Sequence, residues 1–295
     1  MISMKNLAEK AKESYRSEPY PHIVIDNFIT EEESALLISE ASKIISTHNL
    51  KEVSTSMGGR RVLPYSDNRL KTIIKKSLSW RNLVDLLNSK EMVDLLLSNV
   101  VGSNIDIDLK RWLGSKTIYI KELPTIHKFI SKRISKKWKH SLNSNVSSLS
   151  SLNLIITGIL NILDDIYRIF ISIFDHITGH RRLSLLFDYS ISKKGYTREI
   201  HRDSDSRVIV FLLYLNSLEN NVGGKLEIYK SLNNKKNYDP IPKLGNIKKF
   251  REIIPKEGRL IMFLNTSNAY HAASLMTNSD SERHFIYGAY TLSSD

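Results

Sequence analysis

The sequence predicts an α+β protein, with helices in its first part and a strand-rich C-terminal part. Two observations lead there. Between positions 31 and 97 apolar residues recur at helical spacing, whereas after position 183 they gather in short β-branched and aromatic runs bounded by Gly and Pro. A third observation concerns chemistry. His201 and Asp203 form an H-x-D pair beside one such run, and His271 follows in Ala269-Tyr270-His271-Ala272-Ala273.

The elements follow in order. Residues 1–19 form an N-terminal tail or helix, and Tyr20 to Ile29 (YPHIVIDNFI) reads as a strand. Thr30 and Glu33 then make a capping box, and Glu31 and Glu32 suit the positive end of a helix. Leu36, Leu37, Ile38, Ala41, Ile44 and Ile45 give that helix its apolar stripe. Met57-Gly58-Gly59-Arg60-Arg61 to Pro64 reads as a mobile, solvated loop, with approach of Arg60 and Arg61 to an acidic substrate as the lesser alternative. Leu83 to Leu97 is helical again, with a break at Asn88-Ser89. The strand and supporting helices thus occupy 20–101.

Residues 102–182 read as a basic, helical insertion. Its first half carries Lys128, Lys132, Arg133, Lys136 and Lys137 among other cations, and Ile126, Ile130, Ile134 and Trp138 recur every four residues. That is an amphipathic helix with a cationic face. It is expected to dock its apolar stripe, and an acidic protein partner, nucleic acid or anionic lipid would suit the other side. Asn143 to Asn153 is a Ser-rich linker. Leu154 to Phe174 is apolar enough to raise a transmembrane reading. Asp164, Asp165 and Arg168 would cost roughly 7–10 kcal/mol in a bilayer, against roughly 4–7 returned by its apolar residues. An amphipathic helix with a broad buried face is therefore expected, and no transmembrane segment.

From 183 to 295 the chain reads as strands. Arg207 to Asn216 (RVIVFLLYLN) is buried on both faces. Gly223-Gly224 turns into Lys225 to Lys230 (KLEIYK), Pro255 and Gly258 flank a turn before Arg259 to Leu264, and Arg283 opens a last strand, His284 to Leu292. Side chains alternate along a strand, so an H-x-D at a strand mouth sends both groups to one face. Two imidazoles and a carboxylate can cap one face of an octahedral metal and leave adjacent positions open, which suits non-haem Fe(II).

Bulk properties add bounds. The chain has 295 residues, no cysteine, and 43 basic against 31 acidic residues, a formal charge of +12. Disulfides and thiolate metal sites are excluded. The charge speaks of partners rather than fold. No secretory signal is read at Met-Ile-Ser-Met-Lys, and a cytoplasmic location is expected. The oligomeric state is not legible.

In order, the pieces Tyr189 with Gly195, His201-x-Asp203, Arg207, Tyr214-Leu215-Asn216, Gly223-Gly224-x-Leu226-x-Ile228, Pro255-x-x-Gly258, His271 and Arg283 resemble the core of the Fe(II)/2-oxoglutarate-dependent dioxygenases, within them the prolyl 4-hydroxylase-like branch. The YPHIVIDNFI run resembles that branch's first strand. The resemblance implies a double-stranded β-helix, or jelly roll, over about 183–292, with helical support and the insertion added to it. It implies that His201, Asp203 and His271 bind iron and that Arg283 holds the far carboxylate of 2-oxoglutarate, with Tyr214 and Tyr189 lining that pocket. Arg207 would face substrate or flank the site. Fe(II), 2-oxoglutarate and O2 are the implied cofactors, with ascorbate as reductant.

The implied reaction is hydroxylation of a C–H bond with release of succinate and CO2. Related halogenases replace the acidic ligand by a small residue, so Asp203 argues against halogenation. Demethylases of nucleic-acid bases carry two arginines after the distal His, whereas Arg283 stands alone after His271. A prolyl residue of a protein or peptide is the substrate the branch suggests. A free amino acid or natural-product intermediate is the alternative, and a non-catalytic module acting through the basic insertion is the alternative of another class.

Overall fold

The strand runs of the C-terminal part assemble into two sheets. The computed structural model describes residues 3–47, 59–96, 116–119, 180–204, 206–232 and 239–292. In order the elements are α1 (Met4–Ser14), β1 (His22–Ile25), α2 (Glu31–Thr47), β2 (Arg60–Pro64), α3 (Asn68–Lys76), α4 (Leu78–Leu87), α5 (Lys90–Leu96), β3 (Lys116–Tyr119), β4 (His180–Ser192), β5 (Arg198–His201), β6 (Arg207–Tyr214), β7 (Leu226–Ser231), β8 (Ile247–Ile253), β9 (Leu260–Leu264), β10 (His271–Ala273) and β11 (Arg283–Leu292). By contacts the chain divides into two units, Met1–Leu109 with Leu185–Leu292, and Lys110–Ser184 with Ser293–Asp295.

In the first unit the larger sheet runs β1-β9-β6-β11-β4-β2 and the smaller β5-β10-β7-β8. The center of the larger sheet is β6. It pairs with β11 from Phe285 opposite Tyr214 and with β9 from Ile209 opposite Leu264, both antiparallel. Its residues Val208 to Tyr214 are all buried, as expected of a strand covered on both faces. The two sheets pack face to face. Val210, Leu212, Phe263 and Phe285 of the larger sheet share one apolar cluster with Leu226, Ile228 and Ile253 of the smaller. Burying each such side chain is worth about 1.5–3 kcal/mol. This is the jelly roll that the strand pattern and its resemblance predict.

The turns obey their residues. Gly223 and Gly224 both adopt positive φ, +87° and +70°, which glycine reaches without a Cβ clash. At Gly223 a Cβ would also lie 1.8 Å from the Leu275 carbonyl oxygen. The capping box forms as written: Thr30 N–H donates to Glu33 Oε2 (2.9 Å), and Glu33 N–H donates to Thr30 Oγ1 (3.2 Å). The helical stretch from Leu83 breaks at Asn88-Ser89, where α4 ends and Ser89 Oγ accepts from Met92 N–H to start α5. The α2 stripe is narrower than predicted, because Leu37 and Ala41 are buried while Leu36 is exposed.

Two strands depart from the sequence reading. Arg60–Pro64 is not a loop but β2, paired antiparallel with β4 from Arg60 opposite Ser192 to Pro64 opposite Asp188. Pro64 is tolerated there because β2 is an edge strand. The other is β8 (IKKFREI), the outer strand of the smaller sheet, with Lys248 to Glu252 exposed.

In the second unit β3 pairs in parallel with the start of β4, Lys116 opposite His180 to Tyr119 opposite Leu183. The predicted basic helix 126–138, the linker 143–153, the apolar stretch 154–174 and the partners attached to them lie outside the described residues. Among the described residues no helix is long and apolar enough to cross a membrane.

Candidate metal centre

His201 ends β5 and His271 opens β10, and the two are direct partners across the antiparallel ladder. Their ring centroids stand 4.3 Å apart. Each imidazole Nδ1 lies against the backbone carbonyl two residues before it, Glu199 O at 2.8 Å for His201 and Ala269 O at 3.0 Å for His271. A carbonyl only accepts, so Nδ1 carries the proton in both rings and each Nε2 keeps a lone pair. Burial, then the neighbouring His271, pushes the His201 pKa down to about 3, so the ring is neutral at ordinary pH.

Asp203 completes the group. Its Oδ1 accepts from Arg207 Nη1 at 2.6 Å and from the Tyr287 hydroxyl at 2.7 Å. Its Oδ2 is buried without a hydrogen-bond partner and lies 3.5 Å from His271 Nε2. Burial raises the Asp203 pKa, but in the acid range where the carboxyl titrates the protonated His271, the Arg207 charge, the protonated His201 and the Tyr287 hydrogen bond outweigh it and hold the carboxyl below the usual range. One ligand atom from each of His201, Asp203 and His271 falls within 4.8 Å of the others. An orphaned carboxylate oxygen beside two unprotonated ring nitrogens fits a divalent cation, and this N2O donor set fits Fe(II).

The surroundings of Asp203 hold residues that sequence reasoning missed. Arg207 also donates to the Tyr287 hydroxyl, closing a triangle with the carboxylate. Asn265 Nδ2 reaches the carbonyls of Asp203 (3.3 Å), Ser204 (2.9 Å) and Arg207 (2.9 Å) and so clamps the segment that aims Asp203. Neither Tyr287 nor Asn265 belongs to a short motif. Only the two-residue alternation of Arg283, Phe285 and Tyr287 along β11 could have drawn Tyr287 in.

At the other side of the same space stands Arg283, 1% exposed. Its Nε donates to Ser192 Oγ (3.1 Å) and its Nη1 to the Gly224 carbonyl. The guanidinium lies over Phe285 and Tyr196, 4.3 and 4.8 Å from the ring centroids. Among the described residues no carboxylate forms an ion pair with it. Tyr214 is nearby, its ring centroid 6.0 Å from the guanidinium carbon. The Tyr214 hydroxyl is buried and unpartnered, and burial pushes its pKa up to about 12, so it remains a donor. A buried cation without an anion and a buried donor without an acceptor are each costly. A carboxylate between them would satisfy both.

One cavity of about 260 Å³ joins the two ends, lined by His201, Asp203, His271, Tyr214 and Arg283 among others. Arg207 stands at its wall on Asp203. Tyr189 does not reach it. Its side chain lies on the opposite face of β4, edge-on to Trp80 (centroids 5.8 Å) with its hydroxyl 2.8 Å from His284 Nδ1. Tyr196 lines the cavity in its stead. Arg60, read from the sequence as solvated, is 9% exposed and lines the same cavity, so the loop reading is corrected for the side chain as well.

Residues 185–290 match the family model described as the 2OG-Fe(II) oxygenase superfamily. Among solved structures the chain is similar to the non-heme alpha ketoglutarate dependent carbocyclase SnoK from nogalamycin biosynthesis, with a TM-score of 0.51 and 9% identity over 98% of this chain and 86% of that one. It is also similar to a Pseudomonas putida prolyl-4-hydroxylase (TM-score 0.48, 10% identity, 98% of each chain). A Trichoplax adhaerens prolyl hydroxylase in complex with a hypoxia inducible factor peptide fragment gives a TM-score of 0.49 at 13% identity, over 98% of this chain and 90% of that one. No curated protein matches the sequence. At these identities the likeness to the carbocyclase is one of fold.

Proposed function

Because its C-terminal core is that of the 2OG-Fe(II) oxygenase superfamily, a 2-oxoglutarate-dependent dioxygenase, we propose that this chain hydroxylates a C–H bond of a prolyl residue in a protein or peptide. In this reading His201, Asp203 and His271 hold Fe(II). Arg283 takes the far carboxylate of 2-oxoglutarate bidentately, with the Tyr214 hydroxyl as a further donor. When bound, Fe(II) and 2-oxoglutarate supply the O2 chemistry, in which 2-oxoglutarate leaves as succinate and CO2 and one oxygen atom enters the substrate.

The observation that carries the reading is the pair of unfilled valences at the two ends of one cavity. Asp203 Oδ2 is orphaned at one end, and Arg283 with the Tyr214 hydroxyl is orphaned of an anion at the other. A diacid that chelates a metal at one end and pairs with a cation at the other answers both. The chain's own residues do the rest by placement. Arg207 and Tyr287 fix the rotation of the Asp203 carboxylate, and the two backbone carbonyls fix the imidazole tautomers. Leu212, Leu226 and Phe285 give the space an apolar wall. The prolyl substrate is supported by the order of motifs from Gly195 to Arg283, and the proposed boundaries of the basic insertion remain 102–182.

Anaerobic addition of Fe(II) and 2-oxoglutarate is expected to give the weak visible charge-transfer band of the chelate. Admission of O2 is then expected to yield succinate, faster with prolyl peptides than with free amino acids. Folded protein with neither band nor succinate would sink the reading, and faster turnover with free amino acids would favor a small-molecule hydroxylase.

A further inference from the structure

Asp188 is a polar residue of the cavity to which the proposed reaction gives no task. It stands on β4 in series with Ser190 and Ser192. Ser192 accepts from Arg283. Ser190 Oγ accepts from Arg60 Nε (3.3 Å) and Nη2 (2.9 Å). Asp188 itself forms no hydrogen bond and no ion pair among the described residues. The cations beside it are engaged elsewhere. Arg207 is paired with Asp203, and Arg60 holds Ser190 with its guanidinium over the rings of Phe285 and Tyr287, 5.4 and 5.8 Å from their centroids. Burial raises the Asp188 pKa against the opposing charges of Arg60 and Arg207. The carboxylate is therefore half-buried between two arginines and accepts no hydrogen bond from the described residues.

Its position along the strand says what would fill it. At about 3.3 Å per residue, Asp188 lies about 13 Å from Ser192 and the Arg283 end. A five-carbon diacid spans about 5 Å at about 1.5 Å per bond. Asp188 thus lies past the diacid, on the side left for substrate, beside the Arg207 and Tyr287 that touch Asp203. A second cavity of about 230 Å³ shares Asp188, Arg207 and Tyr287 with the first and continues to Tyr65, Leu186 and Ala289. Asp188 lines both, within reach of an extended chain that occupied the two together.

We propose, resting on the iron and 2-oxoglutarate reading, that Asp188 is a specificity-determining residue that accepts a hydrogen bond from a nitrogen donor, an amide N–H or an ammonium, carried by a peptide substrate. The test uses the full-length protein with Fe(II), 2-oxoglutarate and three capped probes: oligoproline, which lacks internal N–H groups, repeats of Ala-Pro-Gly, and repeats of Lys-Pro-Gly. Succinate release above the rate without peptide is expected with the donor-bearing repeats and not with oligoproline. Asp188→Ala is expected to raise the KM for the accepted peptide about tenfold or more, with the 2-oxoglutarate KM moving less than about twofold and the charge-transfer band retained as a check on folding. Asp188→Asn separates the sources: an amide donor keeps its KM within about threefold, whereas the lysyl repeat loses as much as with Asp188→Ala. Oligoproline accepted equally, no acceleration by either donor-bearing repeat, or an unchanged peptide KM in Asp188→Ala would each overturn this inference alone. Absence of both band and succinate in the unaltered protein would overturn the underlying reading and the inference with it.

Discussion

His201 and His271 are direct cross-strand partners, and His271 is at the same time the partner of Ile228 on the other side of its strand. The distal histidine is therefore held from both sides, and its distance from His201 is a property of sheet register. Register is stiff wherever one face is buried.

Metal loading should accordingly stabilise the whole core. At about a hundredfold excess over Kd, a ligand of the native state adds about 2.7 kcal/mol, which for a domain of this class shifts Tm by roughly 5–10 °C. Anaerobic Fe(II) is expected to produce such a shift in the unaltered protein and none in His271→Ala or Asp203→Ala. Scanning calorimetry reads it, and an equal shift in the variants would remove these residues from the metal site.

Tyr287 and Arg207 act on the same carboxylate oxygen. Tyr287→Phe should weaken metal affinity about tenfold, the lower end of what outer partners of metal ligands contribute. Arg207→Ala should weaken it less, because the lost orienting contact is partly offset by removal of a positive charge beside the cation. Titration with Mn(II) as a redox-silent probe gives both affinities. An unperturbed affinity in Arg207→Ala would release that residue for contact with substrate.

Tyr214 offers a contrast between stability and binding. Its hydroxyl is buried without a hydrogen-bond partner among the described residues. Tyr214→Phe should leave the ligand-free protein as stable as before or up to about 1 kcal/mol more stable. The same change should raise the KM for 2-oxoglutarate about fivefold to tenfold. Arg283→Ala should raise that KM about a hundredfold or more, since it deletes a buried bidentate donor. Denaturant midpoints and succinate kinetics test the pair, and loss of stability in Tyr214→Phe would contradict the assignment of an unfilled donor.

Asp26, just after β1, ties that strand to the start of β9. Its oxygens accept from Arg259 Nε (2.6 Å) and Nη2 (3.0 Å) and from Lys256 Nζ (3.2 Å). The Arg259 hydrogen bonds, against the opposing effect of burial, hold its carboxyl below the usual range. A carboxyl lowered on folding stabilises the native state fully above its unfolded value of about 3.9, and that contribution disappears as pH falls through the lowered folded value. Asp26→Asn should therefore lower stability near neutrality and flatten the decline between about pH 5 and about pH 2. Denaturant midpoints across that range measure it, and parallel curves would show that the tie carries no stability.

Much of this was legible because it depends on local chemistry. The capping box, the glycine turn and the doubly buried β6 each follow from a few adjacent residues. The triad and Arg283 were read through the order of motifs shared with a known family, and the structure brings His201, Asp203 and His271 together. What was hidden depended on parity. Tyr189 and Tyr196 are both tyrosines near the H-x-D, but the turn at Lys193 to Gly195 decides which faces the cavity, and no periodicity crosses a turn. Arg60 was hidden because Gly59 and Pro64 look like a loop, and only pairing with β4 makes the segment a strand. Asp188 and Tyr287 gain meaning only from neighbors far off in the chain.

The cavity's two ends also belong to different layers. Both imidazoles come from the smaller sheet, through β5 and β10, whereas Arg283, Tyr214 and Ser192 come from the larger, through β11, β6 and β4. A small diacid gripped at both ends would act as a rivet through the sandwich. Filling the site would then be a mechanical event as well as a chemical one, stiffening the joint between layers before any bond is broken.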